Sequence, residues 1–560
     1  MSKCFYSVKD GVLTVGNGLF KANFNKVYSA DSVIEDGNGL SMPYTNITAH
    51  GAYGDKNYHV WDDLPLVYTP KYKEVNLIQL EGEHWLIKTV KLHAFSDDND
   101  TLVKENDYNM FAKNLFFEAL GEVFFLQNPV TMQAIVIISE TPDYQTAKLT
   151  IKDGLVKVDN GGYPLALGFC DFDGCAKLCR DYYRHARKPL KSVTMSNTWG
   201  DRNGFTRVCR DFVLKEIDTA KELGVDIVQI DDGWQVGSTA DLARRDENGS
   251  REFLDDFWDL DVNKFPNGMK EVSDYADKFG IKVGMWFAPE SHDNYGLIER
   301  DIAVLKKAYD EWGIRFFKLD MYHIRSTEHR DQFLRLLSAI YSFGNDVAVQ
   351  LDVTRANRLN YLCGRQYGTV FVENRYTRSG NYFPHRVLRN LWSLGKYIPT
   401  AKFQFELVNP DLYTDCYLDG DPFVPSLYGM DYLFATVMLS NPLFWMEMQF
   451  LSKDRIKELK PIISVYKSLR DDLVNADVCP ILDKPTGRSF TGFKISVDNK
   501  VKYLLLFREV TLTDTVVASV DFSGDANVII SNVDVDVKIA DGVLRAKFAK
   551  ERAYALIEVK

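Results

Sequence analysis

Cysteine is sparse in this sequence, with eight residues in a chain of 560. None stands in a Cys-x-x-Cys pair, so the pattern favours neither a disulfide-bonded scaffold nor a zinc site. Cys175 and Cys179 are four residues apart, a spacing typical of one buried helix face. We therefore expect reduced, structural thiols. The eight are Cys4, Cys170, Cys175, Cys179, Cys209, Cys363, Cys416 and Cys479.

Basic clusters and long apolar runs are also missing. The net charge is −11, and no basic block could neutralise a row of phosphates, which argues against nucleic acid as a partner. No stretch approaches the roughly 18 apolar residues of a membrane-spanning helix. The start, Met1-Ser2-Lys3-Cys4, shows no apolar signal-peptide region. We expect no membrane partner and a cytoplasmic location, or a periplasmic one if a signal peptide has been removed.

The length and rhythm of the chain predict a multidomain α/β protein. The chain has 560 residues, too many for a single hydrophobic core. Its hydrophobic fraction of 46% indicates a globular protein. Residues 1–187 alternate short β-rich runs with Gly, Asp and Asn, which predicts an N-terminal β-sandwich followed by a linker helix. Residues 188–473 alternate buried strands with amphipathic helices. Residues 474–560 return to β-rich segments, which predict a small C-terminal antiparallel β-sandwich.

Eight predicted strands in the middle region indicate a closed (β/α)8 TIM barrel. Helical patterns separate them, such as Phe205–Leu223 with Gly224 as a stop and Leu297–Trp312 with Gly313 as a stop. No Gly-x-Gly-x-x-Gly follows the first strand, so a dinucleotide-binding fold is disfavoured. The predicted strands are Val193–Trp199, Asp226–Asp232, Lys282–Ala288, Arg315–Asp320, Asp346–Asp352, Thr369–Glu373, Lys402–Leu407 and Thr436–Leu439.

Polar side chains end most of these strands, where a TIM barrel places its reacting groups. Lys318 and Asp320 are two residues apart and share a face, so the ammonium favours an ionised Asp320, the setting of a carboxylate nucleophile. Further carboxylates and the rings of Trp199 and Trp286 would suit the hydroxyls and C–H face of a pyranose. Any one strand-end Asp could equally cap the following helix, and a single Trp could close the barrel.

Two motifs carry a family resemblance. Ile230-Asp231-Asp232-Gly233-Trp234-Gln235 and Lys318-Leu319-Asp320 resemble, in order and spacing, the clan of α-galactosidases that includes glycoside hydrolase family 36 and the raffinose synthases. Asn197-Thr198-Trp199 and Met285-Trp286-Phe287-Ala288-Pro289-Glu290 support the resemblance, which covers roughly residues 190–450. It implies a retaining glycoside hydrolase acting on terminal α-galactosyl residues by double displacement.

The resemblance also implies a role for individual residues. Asp320 takes the place of the nucleophile, Asp231 and Asp232 that of acceptors from the galactose 4- and 6-hydroxyls, and Lys318 that of a donor to neighbouring hydroxyls. The implied substrate is an oligosaccharide or other glycoside. No metal or cofactor is implied, and a homo-oligomer is compatible with the sequence.

Two strand ends depart from the family pattern. At strand six the family usually has an aspartate in a Ser-Asp context, whereas here Glu373 and Asn374 occupy that place, so we predict Glu373 as the acid/base and Asn374 as a sugar contact. If Glu373 is not the acid, Asp352 is the next candidate. After strand five the family's Cys-containing triple-glycine loop is missing, and Arg355 or Arg358 there contacts the 2-substituent of the sugar or is a plain surface arginine.

Three alternative functions remain open at this stage. An α-galactosyl transglycosylase of the raffinose-synthase type would use the same glycosyl-enzyme, with water access deciding the acceptor. A barrel whose catalysis has lapsed would only bind carbohydrate. A Mg²⁺-dependent barrel would use Asp231, Asp232 and Asp320 as ligands, but the Lys318 ammonium would compete with the cation.

Overall fold

The structure is a computed structural model, and the description below covers only part of the chain. The described residues are 5–9, 12–16, 21–25, 59–60, 66–69, 74–79, 84–92, 103–110, 116–142, 146–184, 191–200, 204–237, 256–291, 293–354, 367–372 and 375–560.

Antiparallel sheets dominate the described residues before position 172. They form a three-stranded sheet (β1-β2-β3), a seven-stranded sheet (β4-β5-β14-β11-β10-β7-β8) and a four-stranded sheet (β6-β13-β12-β9). Side chains of β12 alternate between buried and exposed, as in a sheet with one face in the core. The strands are β1 (Phe5–Lys9), β2 (Val12–Gly16), β3 (Lys21–Asn25), β4 (His59–Val60), β5 (Leu66–Thr69), β6 (Glu74–Gln79), β7 (Trp85–Lys91), β8 (Lys104–Met110), β9 (Phe117–Gly121), β10 (Val123–Asn128), β11 (Gln133–Ser139), β12 (Ala147–Lys152), β13 (Leu155–Asp159) and β14 (Leu165–Asp171).

The middle region is a closed barrel of eight parallel strands, which confirms the predicted TIM barrel. Each strand pairs in parallel with both neighbours, and β22 closes the ring on β15. Most barrel-strand residues are buried because the strands face the barrel interior on one side and the helices on the other. The strands are β15 (Met195–Asn197), β16 (Ile227–Ile230), β17 (Lys282–Phe287), β18 (Phe316–Leu319), β19 (Ala348–Asp352), β20 (Thr369–Phe371), β21 (Phe403–Leu407) and β22 (Asn441–Phe444).

The helices begin and end largely where the sequence predicts. Gly224 (φ 78°) and Gly313 (φ 75°) end α2 and α4 in the left-handed conformation that glycine adopts without a steric penalty. Helix α2 begins at Arg210, five residues later than the predicted Phe205. The helices are α1 (Cys175–Arg184), α2 (Arg210–Leu223), α3 (Met269–Asp277), α4 (Ile298–Trp312), α5 (Thr327–Ser342), α6 (Pro384–Gly395), α7 (Met430–Val437) and α8 (Lys453–Asn475).

The predicted eighth strand is wrong. Most of Thr436–Leu439 belongs to the end of α7 or follows it directly, and the strand that closes the barrel is β22 (Asn441–Phe444). Nearly all of α7 is buried, so its sequence lacks the polar stripe that marks an amphipathic helix. The true strand contains Pro442, a residue usually confined to edge strands.

Two antiparallel sheets follow the barrel, as the sequence predicts. They are β23-β24-β25-β30-β27 and β26-β29-β28, which enclose their own apolar core. A bidentate ion pair from Arg180 in α1 to Asp477 in β23, with N–O distances of 2.7 and 3.1 Å, links them to the linker helix. No helix in the described residues is long and apolar enough to cross a membrane. The strands are β23 (Asp477–Leu482), β24 (Phe490–Val497), β25 (Lys500–Arg508), β26 (Thr515–Ser519), β27 (Ala526–Ser531), β28 (Val535–Ala540), β29 (Val543–Phe548) and β30 (Ala553–Val559).

Candidate active site

A cluster of carboxylates lies where the barrel strands end. Because all eight strands are parallel, their carboxyl ends meet at one rim, which we call the mouth. Asp231 and Asp232 follow β16, Asp320 follows β18, and Asp352 is the last residue of β19. The structure therefore brings together side chains that are up to 121 positions apart in the sequence (352 − 231).

A buried ammonium group holds this cluster together. Lys318 Nζ donates to Asp231 Oδ2 at 2.8 Å and lies 3.6 Å from Asp352 Oδ2, and the lysine is 2% exposed. Burial, the largest single influence, lowers the pKa of Lys318, but Asp231, Asp352 and Asp320 together raise it above its usual value. The group stays charged at physiological pH and offers its protons to the mouth.

Asp231 is extensively hydrogen-bonded within the protein. Its Oδ2 also accepts from Asn197 Nδ2 at 2.7 Å, and its Oδ1 accepts from the backbone N–H of Asp232 at 2.9 Å. Its own backbone N–H donates to Thr198 Oγ1 at 2.9 Å. These contacts fix the carboxylate that orients Lys318, and they leave it few lone pairs for a ligand.

Asp232 differs from its neighbour because one of its oxygens has no partner. Gln235 Nε2 donates to Oδ1 at 2.6 Å, whereas Oδ2 has no hydrogen bond within the described part of the chain. Burial is the main cause that raises the pKa of Asp232 to about 6; Gln235 opposes the rise, and the charges of Asp231 and Asp320 add to it. A buried carboxylate oxygen without a donor is an acceptor that a ligand hydroxyl could satisfy.

Asp320 is half-buried, and two donors in the described part of the chain hold it. Trp286 Nε1 donates to its Oδ2 at 3.1 Å, and the backbone N–H of Met321 donates to its Oδ1 at 2.5 Å. Met321 has φ 55°, a left-handed conformation that is uncommon for methionine and often marks functional turns. Both donors stabilise a charged carboxylate in a fixed position at the mouth.

Aromatic side chains line the same rim. Trp199 is half-buried, and its Nε1 donates to the hydroxyl of Tyr376 at 3.1 Å. The ring of Tyr376 lies 5.9 Å from that of Trp445, and Lys318 Nζ lies 5.0 Å from the Trp445 ring centroid. Trp286 is 1% exposed and reaches Asp320 through the edge of its indole.

Three predicted site residues lie outside the described part of the chain: Arg358, Glu373 and Asn374. The residues beside the last two are described. Val372 and Arg375 are both buried, and the backbone N–H of Arg375 donates to Glu406 Oε1 at 3.3 Å. The roles predicted for the three therefore stay predictions from the sequence.

The site contains contacts that sequence reasoning missed. Asp352 was considered only as a reserve acid, but it lies beside Lys318, and its Oδ1 accepts from the backbone and hydroxyl of Thr354 at 3.1 and 2.7 Å. Trp445 directly follows β22, so a correct eighth strand would have identified it as a strand-end residue. Tyr376 lies in a loop, so no strand end in the sequence could identify it as a site residue.

The geometry of the carboxylates also bears on metal binding. No group of three or more His, Cys, Asp or Glu side chains in the described residues is arranged to hold a metal ion. A Mg²⁺ ion coordinated by Asp231 Oδ2 would have to displace Lys318 and Asn197, which both donate hydrogen bonds to that oxygen. The geometry therefore gives no support to a magnesium site at the mouth.

A separate cavity lies at the opposite end of the barrel, where the strands begin. It has a volume of about 550 Å³, and its charged lining includes ion pairs: Asp226 with Arg470 at 3.1 Å and Asp346 with Arg315 at 2.7 Å. TIM barrels place their reacting groups at the carboxyl ends of the strands. The candidate active site is therefore the mouth and not this cavity.

Comparisons with known proteins show similarity to α-galactosidases over part of the sequence. The Melibiase family model matches residues 170–325. Alpha-galactosidase Mel36A of Lactobacillus acidophilus is 39% identical over 114 residues, which are 20% of this chain and 13% of that protein. Over residues 170–325 the chain is therefore similar to the melibiase family. Alpha-galactosidase AgaA of Geobacillus stearothermophilus is 28% identical over 114 residues, again 20% of this chain and 13% of that protein.

Solved structures share the whole architecture at low sequence identity. The GH36 α-galactosidase AgaA of Geobacillus stearothermophilus has a TM-score of 0.63 at 11% identity, covering 100% of this chain and 88% of that one. The galactosidase domain of the α-galactosidase–sucrose kinase AgaSK has a TM-score of 0.65 at 11% identity, covering 100% and 85%. The segment that matches the melibiase model ends at residue 325, so Asp352 and the end of β20 lie beyond it.

Proposed function

We propose that this protein is a retaining glycoside hydrolase that cleaves terminal α-galactosyl residues from oligosaccharides or related glycosides. The observation that carries the proposal is Asp320, held by two donors at the mouth of a barrel beside the buried Lys318 ammonium. The melibiase match and the α-galactosidase relatives support galactose as the sugar that is cleaved off. AgaA of Geobacillus stearothermophilus, which shares this fold, has been solved with raffinose and with stachyose, which supports an oligosaccharide substrate.

The proposed reaction proceeds in two displacements. The Asp320 carboxylate attacks the anomeric carbon while Glu373 gives its proton to the departing glycosidic oxygen, so that one C–O bond forms as the other breaks. Glu373, now ionised, takes a proton from water, which attacks the same carbon and releases Asp320. Two inversions give net retention, and retention requires the two carboxyls to lie roughly 5–5.5 Å apart.

Binding of the sugar rests on the other side chains at the mouth. Asp232 Oδ2, which has no partner in the described residues, accepts from a sugar hydroxyl, with Asp231 beside it, and Lys318 donates to a neighbouring one. The ring of Trp199 contacts the C–H face of the pyranose. Asn374 and Arg358 are the remaining sugar contacts predicted from the sequence.

Covalent labelling tests the nucleophile directly. A 2-deoxy-2-fluoro-α-galactosyl-type inactivator should form a stable ester with Asp320, which peptide mass spectrometry would locate. Asp320→Asn should lower kcat by at least about 10³-fold without unfolding the barrel. Asp454→Asn, at an exposed side chain of α8, is the matched control and should keep full activity. Labelling at another residue, or substantial turnover by Asp320→Asn, would refute the assignment.

Rescue experiments test the acid/base. Glu373→Ala should retain more activity on glycosides with acidic leaving groups than on natural ones, because such groups depart without a proton donor. Azide should restore part of the lost rate, because it attacks the glycosyl-enzyme without a general base. If neither effect appears, Asp352 becomes the candidate. Analysis of products with water and with sugar acceptors separates hydrolysis from transglycosylation, and binding of galactose without turnover would leave only a carbohydrate-binding barrel.

A further inference from the structure

A group of cationic side chains lies where the start of α6 meets the loop between β23 and β24. Helix α6 follows β20, so its N-terminal turn lies at the same rim of the barrel as Asp320. His385, Arg386 and Arg389 come from its first two turns, and Lys484 and Arg488 come from the loop. His385 is neutral at physiological pH, so the positive charge comes from the two arginines of the helix and from Lys484 and Arg488. We call these five residues the cationic cluster.

Aromatic rings fix the orientation of the cluster. The imidazole of His385 lies 5.8 Å from the ring of Phe383 and 5.0 Å from that of Phe423. The guanidinium of Arg386 lies 4.5 Å from the Phe383 ring centroid, and that of Arg488 lies 5.4 Å from Phe423. Guanidinium groups stacked on rings keep a fixed plane, which favours bidentate recognition of carboxylate or phosphate.

Two titratable groups show that positive charge accumulates here. Burial is the main cause that lowers the pKa of His385 to about 3, and Arg389, Arg386 and Arg375 lower it further. Burial also lowers the pKa of Lys484, and Arg389 is the next contributor. The Nδ1 atom of His385 is buried without a hydrogen-bond partner among the described residues. Such a site attracts an anion.

The proposed reaction places this cluster on one side of the substrate. A general acid must lie beside the departing oxygen, and the predicted acid, Glu373, is two residues before Arg375 in the sequence. Arg375 is 1% exposed, and its charge acts on His385. The leaving group of the substrate therefore points toward the start of α6.

The rest of the mouth has the opposite charge. Among the described residues, Asp231, Asp232, Asp320 and Asp352 surround the ammonium of Lys318. A negatively charged substituent on the bound galactose would meet these carboxylates and be repelled. We propose that the cationic cluster binds an anionic group, a carboxylate or a phosphate, carried by the leaving-group part of the substrate. This inference rests on the proposed function.

Two isosteric substrates test the proposed anion site with the whole chain. The 4-carboxyphenyl and 4-carboxamidophenyl α-galactosides differ mainly in charge, and the native protein should show a KM lower by about ten-fold for the anionic one at low salt. About 0.5 M NaCl should remove most of this preference, because screening weakens exposed charge interactions. Equal KM values for the two substrates at low salt would overturn the proposal.

Substitutions test whether the cationic cluster causes the preference for the anionic galactoside. Arg389→Gln should reduce the ratio of the two kcat/KM values by about ten-fold. Lys484→Gln should reduce it in the same direction with little risk to folding, because most of this loop side chain is exposed although its ammonium is partly buried. Arg335→Gln is the matched control, because this arginine is exposed on α5 and pairs with Glu299. An unchanged ratio in both cluster variants would overturn the proposal.

A binding measurement separates this inference from the proposed function. If neither galactoside is cleaved, the α-galactosidase proposal fails, and calorimetry with inorganic phosphate and with benzoate then tests the cluster alone. Binding to the native protein that weakens about ten-fold in Arg389→Gln would support an anion site. Absence of binding, or equal affinity in native protein and variant, would overturn it.

Discussion

Removal of the Lys318 ammonium should destabilise the barrel in a pH-dependent way. In Lys318→Met, the carboxylates of Asp231 and Asp352 lose a cation at 2.8 and 3.6 Å while both remain almost fully buried. Breaking a buried pair by removing one partner costs about 3–5 kcal/mol. Because the pKa of Lys318 is raised above 10.5, its stabilisation is fully present below pH 10.5 and is lost only as the pH rises through the raised value. It is therefore complete at pH 8.

Thermal unfolding at two pH values measures the effect. At pH 8 the melting midpoint of Lys318→Met should fall by roughly 3–8 °C, and at pH 5 by less, because the orphaned carboxylates take up protons. Adding Asp231→Asn should recover part of the loss. Lys306→Met, which breaks an exposed pair with Asp310, should cost no more than about 0.5 kcal/mol. A Lys318→Met midpoint equal to this control, or a loss that is the same at both pH values, would refute the argument.

Three other substitutions probe the site and its support. Asp232→Asn should stabilise the protein by about 2–3 kcal/mol at pH 8 but not at pH 4, because the native carboxyl has its pKa raised from 3.8 to about 6 and so disfavours folding above that range; melting midpoints across this interval would show it. Trp286→Phe should lower kcat/KM by about ten-fold or more, since it removes the indole donor to Asp320; steady-state kinetics below the melting transition of the variant would confirm it, and an unchanged rate would contradict it. Gly368→Ala should cost more than about 2 kcal/mol, because the new Cβ would lie 1.8 Å from Val349 O at φ 48°, whereas Gly420→Ala, at φ 77° with open space, should cost about 1–2 kcal/mol; urea unfolding compares the two.

The sequence predicts the barrel well where local patterns and tertiary structure agree. Buried strands followed by amphipathic helices with glycine stops identify seven of the eight strands, and Gly224 and Gly313 end their helices as expected. The eighth strand fails because α7 is buried almost all round, so its apolar run resembles a strand, while Pro442 makes the true strand look unlike one. Burial on all sides removes the periodicity on which such predictions depend.

For the candidate site, the sequence predicts which residues come together but not what each of them does. Asp231, Asp232, Lys318 and Asp320 could be predicted as strand-end residues, and the structure brings all four together. Their roles within the cluster could not be predicted, because they depend on distances across the barrel: Asp231 is occupied by Lys318 and Asn197, whereas Asp232 keeps an open oxygen. Sequence spacing within one strand carries no information about such contacts.

The buried carboxylates at the mouth are electrostatically unfavourable, and a bound substrate could lower this free energy. Among the described residues, four carboxylates surround the Lys318 ammonium, and burial disfavours the ionised form of Asp232, as its raised pKa indicates. A neutral sugar hydroxyl that donates to Asp232 Oδ2 supplies the missing hydrogen bond without adding charge. A cation would be attracted but would compete with Lys318, and an anion would be repelled. The arrangement therefore selects a neutral, hydroxyl-rich ring at the base of the mouth and leaves charge recognition to the rim at α6.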